Sequence, residues 1–172
     1  MRRAVVILLA ISGTVTIATE ASASRGEKAI GVSVSYGAVG DLVDGAVLGL
    51  SHDRGIGEVL FLHLSAGGGA FFGAQTLYGG HATVGLKYLL FDVVKYVPYV
   101  SLGAGATLLS GDNVDMEVNP RLELGLGLDL LSSRTFSYGL MARFEITPPR
   151  AAFEQGQMFT FGAKVAWKWG FF

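Results

Sequence analysis

Charged side chains alternate with leucines between residues 121 and 130, and these charges are the first candidates for chemistry. Arg121, Glu123 and Asp129 fall on one set of alternate positions, and five leucines fill the other set. Successive side chains of a β-strand point to opposite faces, so the spacing predicts a strand with one charged and one apolar face. Opposite charges on one face can form ion pairs, and they can also line a path for ions or protons.

The next segment supplies opposite charges in the same pattern. Arg143 and Glu145 alternate with apolar residues between 136 and 146. A hairpin centred near residue 133 would set Arg121 opposite Glu145, and the same register sets Glu123 opposite Arg143. A register shifted by two would leave each charge diagonal to a partner of opposite sign. We predict an ionic network with an excess of two positive charges, formed by Lys87, Arg121, Glu123, Asp129, Arg143, Glu145, Lys164 and Lys168.

The remaining reactive groups give weaker signals. His63 and His81 would face the same side of neighbouring strands, so a metal pair is conceivable, but enclosed histidines held by hydrogen bonds are the simpler interpretation. The acidic residues between 112 and 117 do not match the spacing of an EF-hand, which favours a solvated loop over a divalent-ion site. We therefore expect no cofactor and no bound metal.

The sequence also lacks the residues that several classes of enzyme need. It has no cysteine, which excludes thiol catalysis, and Gly103-Ala104-Gly105 lies in a predicted strand with no helix after it, which argues against a nucleotide loop. A lipid-modifying enzyme would need serine, histidine and a carboxylate reachable from lipid. The apolar faces carry only aliphatic and aromatic residues, so we expect a non-enzymatic protein. The net charge of -1 gives no support for nucleic-acid binding.

Period-two alternation extends through the sequence and defines the elements that would position the charges. The chain has 172 residues, of which 51% are hydrophobic and 16% are charged. This length and balance suit one ordered domain. Stretches long enough for a membrane helix are interrupted by glycine and histidine. Alternation instead predicts eight strands, within 30–36, 46–50, 59–66, 81–88, 99–107, 121–130, 136–146 and 159–171.

Eight strands with one apolar face each need that face covered, and no helix is left to cover it. Closing the sheet into an antiparallel, up-and-down transmembrane β-barrel pairs every backbone group and turns the apolar faces to lipid. Longer connections near 37–45, 67–80, 108–118 and 147–157 would alternate with short turns, as in outer-membrane barrels. The interior of such a barrel is just wide enough for side chains, so the charges would form a plug. A soluble barrel with an apolar interior is the alternative, and the charged inward set argues against it.

Aromatic residues provide a second indication of a membrane protein. They cluster near both ends of the predicted strands, as the two aromatic girdles of outer-membrane barrels do. The predicted girdle residues are Tyr36, Tyr88, Tyr99, Phe136, Tyr138, Phe144, Phe159, Phe161, Trp167, Trp169 and Phe171.

The N-terminal segment has the features of a secretory signal peptide. Arg2 and Arg3 precede an apolar run, and Ala21-Ser22-Ala23 supplies the small residues that a signal peptidase recognises. We expect cleavage after Ala23, so that residues 1–23 are the signal peptide and residues 24–172 form the barrel domain.

Together, the signal peptide, the motif Pro98-Tyr99-Val100-Ser101-Leu102-Gly103 and the terminus Trp167-Lys168-Trp169-Gly170-Phe171-Phe172 resemble the small OmpA/OmpX-type outer-membrane barrels. The resemblance implies a bacterial outer-membrane location with both termini in the periplasm. It also implies recognition by the barrel-assembly machinery, which reads an aromatic C-terminal strand. Phe171 and Phe172 would form that signal, with Phe171 in phase with the lipid-facing residues and Phe172 one step out of phase.

The expected function follows from a closed lumen and exposed loops. We expect a non-enzymatic, monomeric barrel that supports the envelope or interacts with other surfaces through its outer loops. An excess of acidic residues over Arg150 would make the outer rim acidic, so contact with anionic lipopolysaccharide would need divalent cations as bridges. The alternative is a narrow channel or a carrier for small or hydrophobic molecules. The acidic set is Asp41, Asp44, Asp112, Asp115, Glu117 and Glu154.

Overall fold

The computed structural model is a closed barrel of eight antiparallel strands, each paired with its neighbours in sequence order and the last paired with the first. It describes residues 26–39, 43–73, 76–90, 95–111, 114–148 and 156–170. Among these residues, no helix is long and apolar enough to span a membrane. The strands are β1 Lys28–Val39, β2 Val43–Gly55, β3 Leu60–Gly73, β4 Leu77–Leu89, β5 Tyr96–Gly111, β6 Val114–Leu131, β7 Phe136–Ile146 and β8 Gln157–Trp169.

Exposure alternates along the strands as the sequence predicts, with apolar side chains outside and polar ones inside. On β6, Leu122, Leu124 and Leu126 are half exposed, whereas Arg121 and Glu123 are each only 2% exposed. The eight-stranded antiparallel barrel is thereby confirmed. Large apolar side chains cover the outer surface of the barrel, where a soluble protein would carry mainly polar and charged ones.

The strands are longer and the connections shorter than the sequence predicts on one side of the barrel. The predicted loop at 67–80 is mostly strand, because β3 continues through three consecutive glycines to Gly73 and β4 starts at Leu77. The connections from β5 to β6 and from β1 to β2 are short as well. Of the four connections that the sequence predicts to be long at this end, the one at 147–156 is long in the structure. Glycines have no side chain to show alternation, although their backbone pairs in the ladder.

The β5–β6 hairpin projects beyond its neighbour. Pairing between β6 and β7 begins at Leu122 with Ile146, so residues 114–121 pair with β5 alone. The two strands of the hairpin have 16 and 18 residues. A strand needs only about 9–11 residues to span a bilayer. The β6 side of this hairpin therefore extends past β7, at the end of the barrel that also carries the 147–156 connection, whereas β4 accompanies β5 to its last residue through the pair Leu77 and Gly111. We call the end with the 147–156 connection the long-loop end and the opposite one the short-turn end.

Two apolar clusters fill the barrel near its ends. The cluster at the long-loop end consists of Val43, Val47, Phe71, Leu77, Leu109 and Met158. The cluster at the short-turn end consists of Phe61, Leu89, Val97 and Tyr99, with Val59 and Leu131 packed against it. On the strands that contribute to both clusters, buried polar residues such as His63, Lys87 and Thr107 fall between them. On these strands the polar residues of the lumen therefore lie between two apolar clusters.

Candidate functional site: the ionic layer inside the barrel

All eight charged residues of the predicted network lie on inward-facing positions, and two further carboxylates join them. The structure divides these groups into two clusters along the barrel and one peripheral pair. The peripheral pair is Lys168 with Glu27, whose side chains lie 3.4 Å apart beside the short-turn end.

The upper cluster, toward the long-loop end, is organised around Arg121. Its Nη2 contacts Glu123 Oε2 and lies 2.9 Å from Glu145 Oε1. Arg143 completes the cluster, but its Nε is 3.7 Å from Glu123 Oε1. That separation makes an ion pair beyond hydrogen-bond distance. Arg121 therefore contacts both glutamates, and Arg143, at a longer distance, supplies the second positive charge of the cluster.

The register of the β6–β7 hairpin differs by two residues from the one predicted with Arg121 opposite Glu145 and Glu123 opposite Arg143. Glu123 instead lies directly opposite Glu145, and Arg143 lies opposite Gly125. The hairpin turns through residues 132–135 and is centred near Arg134 rather than Ser133. Each predicted pair is consequently diagonal. A shift of two keeps every side chain on its own face, which is why the charges still meet inside the barrel.

The lower cluster is organised around Lys87. Its Nζ donates hydrogen bonds to Asp53 Oδ2 at 2.9 Å and to Asp129 Oδ2 at 3.2 Å. Lys164 Nζ lies 2.9 Å from the other oxygen of Asp129. The second oxygen of Asp53 lies 2.5 Å from Nδ1 of His63. This cluster ties together strands β2, β3, β4, β6 and β8.

Tyr99 belongs to this cluster rather than to the aromatic girdle predicted for it. The side chain is only 6% exposed, and the ammonium groups of Lys87 and Lys164 each lie 4.2 Å from the centre of its ring. Tyr99 pairs directly with Gly127, where a β-carbon would collide with the ring. Tyr99 faces inward because the outward residues of β5 are the even-numbered ones and Tyr99 falls in the odd-numbered set.

Asp53 is a lumen residue that the predicted network does not include. The predicted second strand ends near Leu50, whereas β2 continues to Gly55. Extending the alternation by three residues would have placed Asp53 inside. With Asp53 and Glu27 included, the basic and acidic groups of the network are equal in number, so the predicted excess of two positive charges is wrong. The acidic groups are Glu27, Asp53, Glu123, Asp129 and Glu145.

The two lumen histidines do not form a metal pair. His63 is engaged by Asp53, while His81 lies in another part of the lumen, with Nε2 enclosed and unpartnered among the described residues. No group of three or more metal-ligating side chains occurs within the described ranges. The space left between the ion clusters is a cavity of about 10 Å³. That is roughly the room that one water molecule needs.

The outward aromatic residues lie near the two ends of the barrel wall. Tyr36, Phe144, Phe159 and Phe161 form one group, in which Tyr36 pairs with Phe161 and Phe144 with Phe159 across neighbouring strands. The second group, toward the short turns, is Tyr88, Phe136, Tyr138, Trp167 and Trp169. Phe136 and Trp167 make an edge-to-face contact with ring centres 5.6 Å apart. Phe171, Phe172 and the predicted signal peptide lie outside the described residues.

The fold matches those of known small barrels. The N-terminal β-barrel domain of OprF from Pseudomonas aeruginosa aligns with a TM-score of 0.66 at 15% identity, covering 84% of this chain and 98% of that one. Neisserial surface protein A aligns with a TM-score of 0.69 at 12% identity, over 85% of this chain and 98% of that one. The outer-membrane enzyme PagL aligns with a TM-score of 0.56 at 20% identity, over 79% of this chain and 97% of that one.

These structures share the eight-stranded architecture of small outer-membrane barrels, as the OmpA/OmpX-type resemblance implies. They include a surface protein and an enzyme, so the shared fold leaves the activity open. No protein-family model matches this sequence. No curated protein matches it either.

Proposed function

We propose that the protein is a non-enzymatic outer-membrane barrel with a closed lumen, which supports the envelope or contacts other surfaces through its long-loop end. The observation that carries the proposal is the filling of the interior. Two ion clusters cross-link strands β2, β3, β4, β6, β7 and β8 in the middle of the barrel, and apolar clusters enclose them from both ends. A side-chain plug of this kind leaves the outer surface as the part available for interaction.

Two features favour the membrane location. The outward face is a continuous belt of aliphatic side chains with aromatic residues near both ends. Lipid and its interfaces select this arrangement. Each strand pairs on both sides, so the part of the barrel facing lipid needs no water for its backbone groups. We propose in addition that residues 1–23 are removed as a signal peptide and that Phe171 helps recruit the barrel-assembly machinery.

The outward face also argues against a lipid-modifying enzyme. Among the described residues, Tyr36 and Asp44 are outward polar groups that are hydrogen bonded to each other. His52 is at the other end of the barrel, close to Trp169. Serine, histidine and carboxylate are thus not gathered at one place on the described lipid-facing wall, although PagL is an outer-membrane enzyme with this fold.

Conductance measurements test the closed lumen. We expect the purified barrel, inserted into planar bilayers, to show little or no steady current. Heat-modifiable migration on gels and a β-sheet circular dichroism spectrum would establish that the sample is folded. The absence of current could then not result from unfolded protein. Reproducible, large and long-lived openings would contradict the proposal and favour a narrow channel.

Lipopolysaccharide is the partner we propose for the long-loop end. Asp44 and Asp115 are exposed there. Acidic side chains near anionic phosphates need divalent cations between them, because like charges repel. We expect lipopolysaccharide to co-purify with the barrel and the amount to fall when a chelator is present. Co-purification that is insensitive to chelator would count against bridging by cations.

A further inference from the structure

Two like charges lie directly opposite each other on the outer wall of the barrel, near its short-turn end. Lys28 begins β1 and pairs with Arg54 on β2. Both belong to the outward-facing set of their strands, and Arg54 is exposed while Lys28 is half-buried. Like charges directly opposite on a sheet are destabilising, because their β-carbons are only about 5 Å apart. An anion bound to both side chains would offset this repulsion.

The protein does not supply that anion within the part of the chain that the structure describes. Neither Lys28 nor Arg54 forms an ion pair there. The carboxylates next to them in sequence, Glu27 and Asp53, point into the lumen and pair with lysines of the network. The two positive charges are therefore not neutralised by the described wall of the barrel.

The surroundings of the pair are those of a membrane interface. Trp169 lies directly opposite Lys28 on the side of β8, and Leu62 lies opposite Arg54 on the side of β3. The rings of His52 and Trp169 approach each other across β1, with their centres 6.2 Å apart. Tryptophan at the surface of membrane proteins lies at the level of the lipid headgroups. The two cations are therefore at the depth where lipid phosphates lie.

We propose that Lys28 and Arg54 bind the headgroup of an anionic phospholipid of the periplasmic leaflet, of the phosphatidylglycerol type. The guanidinium of Arg54 binds two phosphate oxygens, because arginine matches the geometry of phosphate, and the ammonium of Lys28 adds a second positive charge. The acyl chains then lie along the exposed aliphatic side chains that follow on β1, Ile30 and Val32. This inference rests on the proposed membrane location and orientation and adds a specific lipid to them.

The charge of the site selects an anionic headgroup over a zwitterionic one. A phosphatidylethanolamine headgroup carries an ammonium group beside its phosphate, and this ammonium would meet two cations with no described carboxylate on the outer wall beside them. Phosphatidylglycerol has hydroxyl groups at that place and carries a net negative charge. Positive side chains at a membrane surface attract anionic lipids for the same reason.

Native mass spectrometry of the detergent-folded barrel tests the site. The probe is phosphatidylglycerol, and phosphatidylethanolamine with the same acyl chains is the comparison. We expect the unmodified barrel to retain phosphatidylglycerol more strongly. The double variant Lys28→Gln, Arg54→Gln should lose this preference and bind phosphatidylglycerol about tenfold more weakly, the effect of losing about 1.4 kcal/mol of binding free energy.

The matched control removes the same charge from the same end of the barrel. Lys95 and Arg134 are exposed in the β4–β5 and β6–β7 connections, away from β1 and β2. The double variant Lys95→Gln, Arg134→Gln should bind phosphatidylglycerol as the unmodified barrel does. The preference of the unmodified barrel needs no variant, so the test stands even if a double variant does not fold.

Competition with inorganic phosphate distinguishes a lipid site from a site for free phosphate. An excess of inorganic phosphate should leave the lipid bound. Displacement of the lipid by phosphate, equal retention of the two lipids by the unmodified barrel, or equal losses in the two double variants would overturn the proposal. Failure of the proposed membrane location is a separate result, because fractionation of cells would then find the barrel outside the outer membrane.

Discussion

At the scale of single residues, Tyr99 holds the lower cluster together. Its ring contacts two ammonium groups while lying against a glycine, so one aromatic side chain connects β4, β5, β6 and β8. A cation–π contact contributes roughly 0.5–2 kcal/mol, with the larger values for contacts that are shielded from water. The aromatic ring, rather than the hydroxyl, makes both contacts, and this distinction can be tested.

We expect Tyr99→Leu to lower the free energy of unfolding by about 2 kcal/mol, because the side chain stays apolar while both cation contacts disappear. Tyr99→Phe is the matched control and should retain nearly all of the stability. Urea unfolding in detergent, followed by heat-modifiable migration, measures the difference. Equal losses in the two variants would mean that the ring–cation contacts contribute nothing.

At the scale of elements, the extension of β3 through its glycines changes which aromatic residue matters. Phe71 points inward into the apolar cluster of the long-loop end and is 3% exposed, whereas its neighbour Phe72 points outward and is 57% exposed. A flexible loop, as the sequence predicts for this segment, would give these two residues similar roles. The strand gives them opposite ones.

We therefore expect Phe71→Ala to destabilise the barrel by about 3–5 kcal/mol, the usual loss for an enclosed phenylalanine. Phe72→Ala should cost much less, because its side chain is already largely outside. Unfolding of both variants under identical conditions makes the comparison. Similar, small effects would show that the segment is a loop after all.

The register of the β6–β7 hairpin can be tested directly, because the chain contains no cysteine of its own. Leu124 and Phe144 are directly opposite on the outer face. Directly opposite β-carbons are close enough for a disulfide. Cysteines at both positions should cross-link on mild oxidation. Cysteines at 122 and 144, which the two-residue alternative would oppose, should cross-link poorly. The reverse result would restore the register predicted from sequence.

The sequence predicts which face of a strand each side chain occupies better than it predicts the register between strands or the length of a strand. Alternation places Arg121, Glu123 and Asp129 inside because only the odd or even phase has to be known. It cannot distinguish registers that differ by two, because both keep the same faces, and the direct opposition of Glu123 and Glu145 was therefore not predicted. Strand ends were missed at Asp53 and in the glycine run for a related reason. Few apolar side chains mark the pattern there.

At the scale of the whole molecule, the barrel has two different ends. The short-turn end carries connections of four to six residues, whereas the other end carries three connections of two or three residues and the ten-residue 147–156 connection. In outer-membrane barrels the longer connections face outward and the short turns face the periplasm. On the basis of the 147–156 connection, we expect the orientation that the sequence resemblance implies, and labelling tests it.

Single cysteines at Ser133 and at Pro148 lie at opposite ends of the barrel, and both positions are exposed. In intact cells, a membrane-impermeant maleimide should label Pro148→Cys and should leave Ser133→Cys unmodified. Because both sites are accessible to solvent in the folded protein, lysis should make Ser133→Cys as reactive as Pro148→Cys. That lysed sample is the control for reactivity. Labelling of Ser133→Cys alone in intact cells would mean that the barrel is inserted the other way up, with its long-loop end in the periplasm. The proposed contact between the acidic long-loop end and lipopolysaccharide would then be wrong as well.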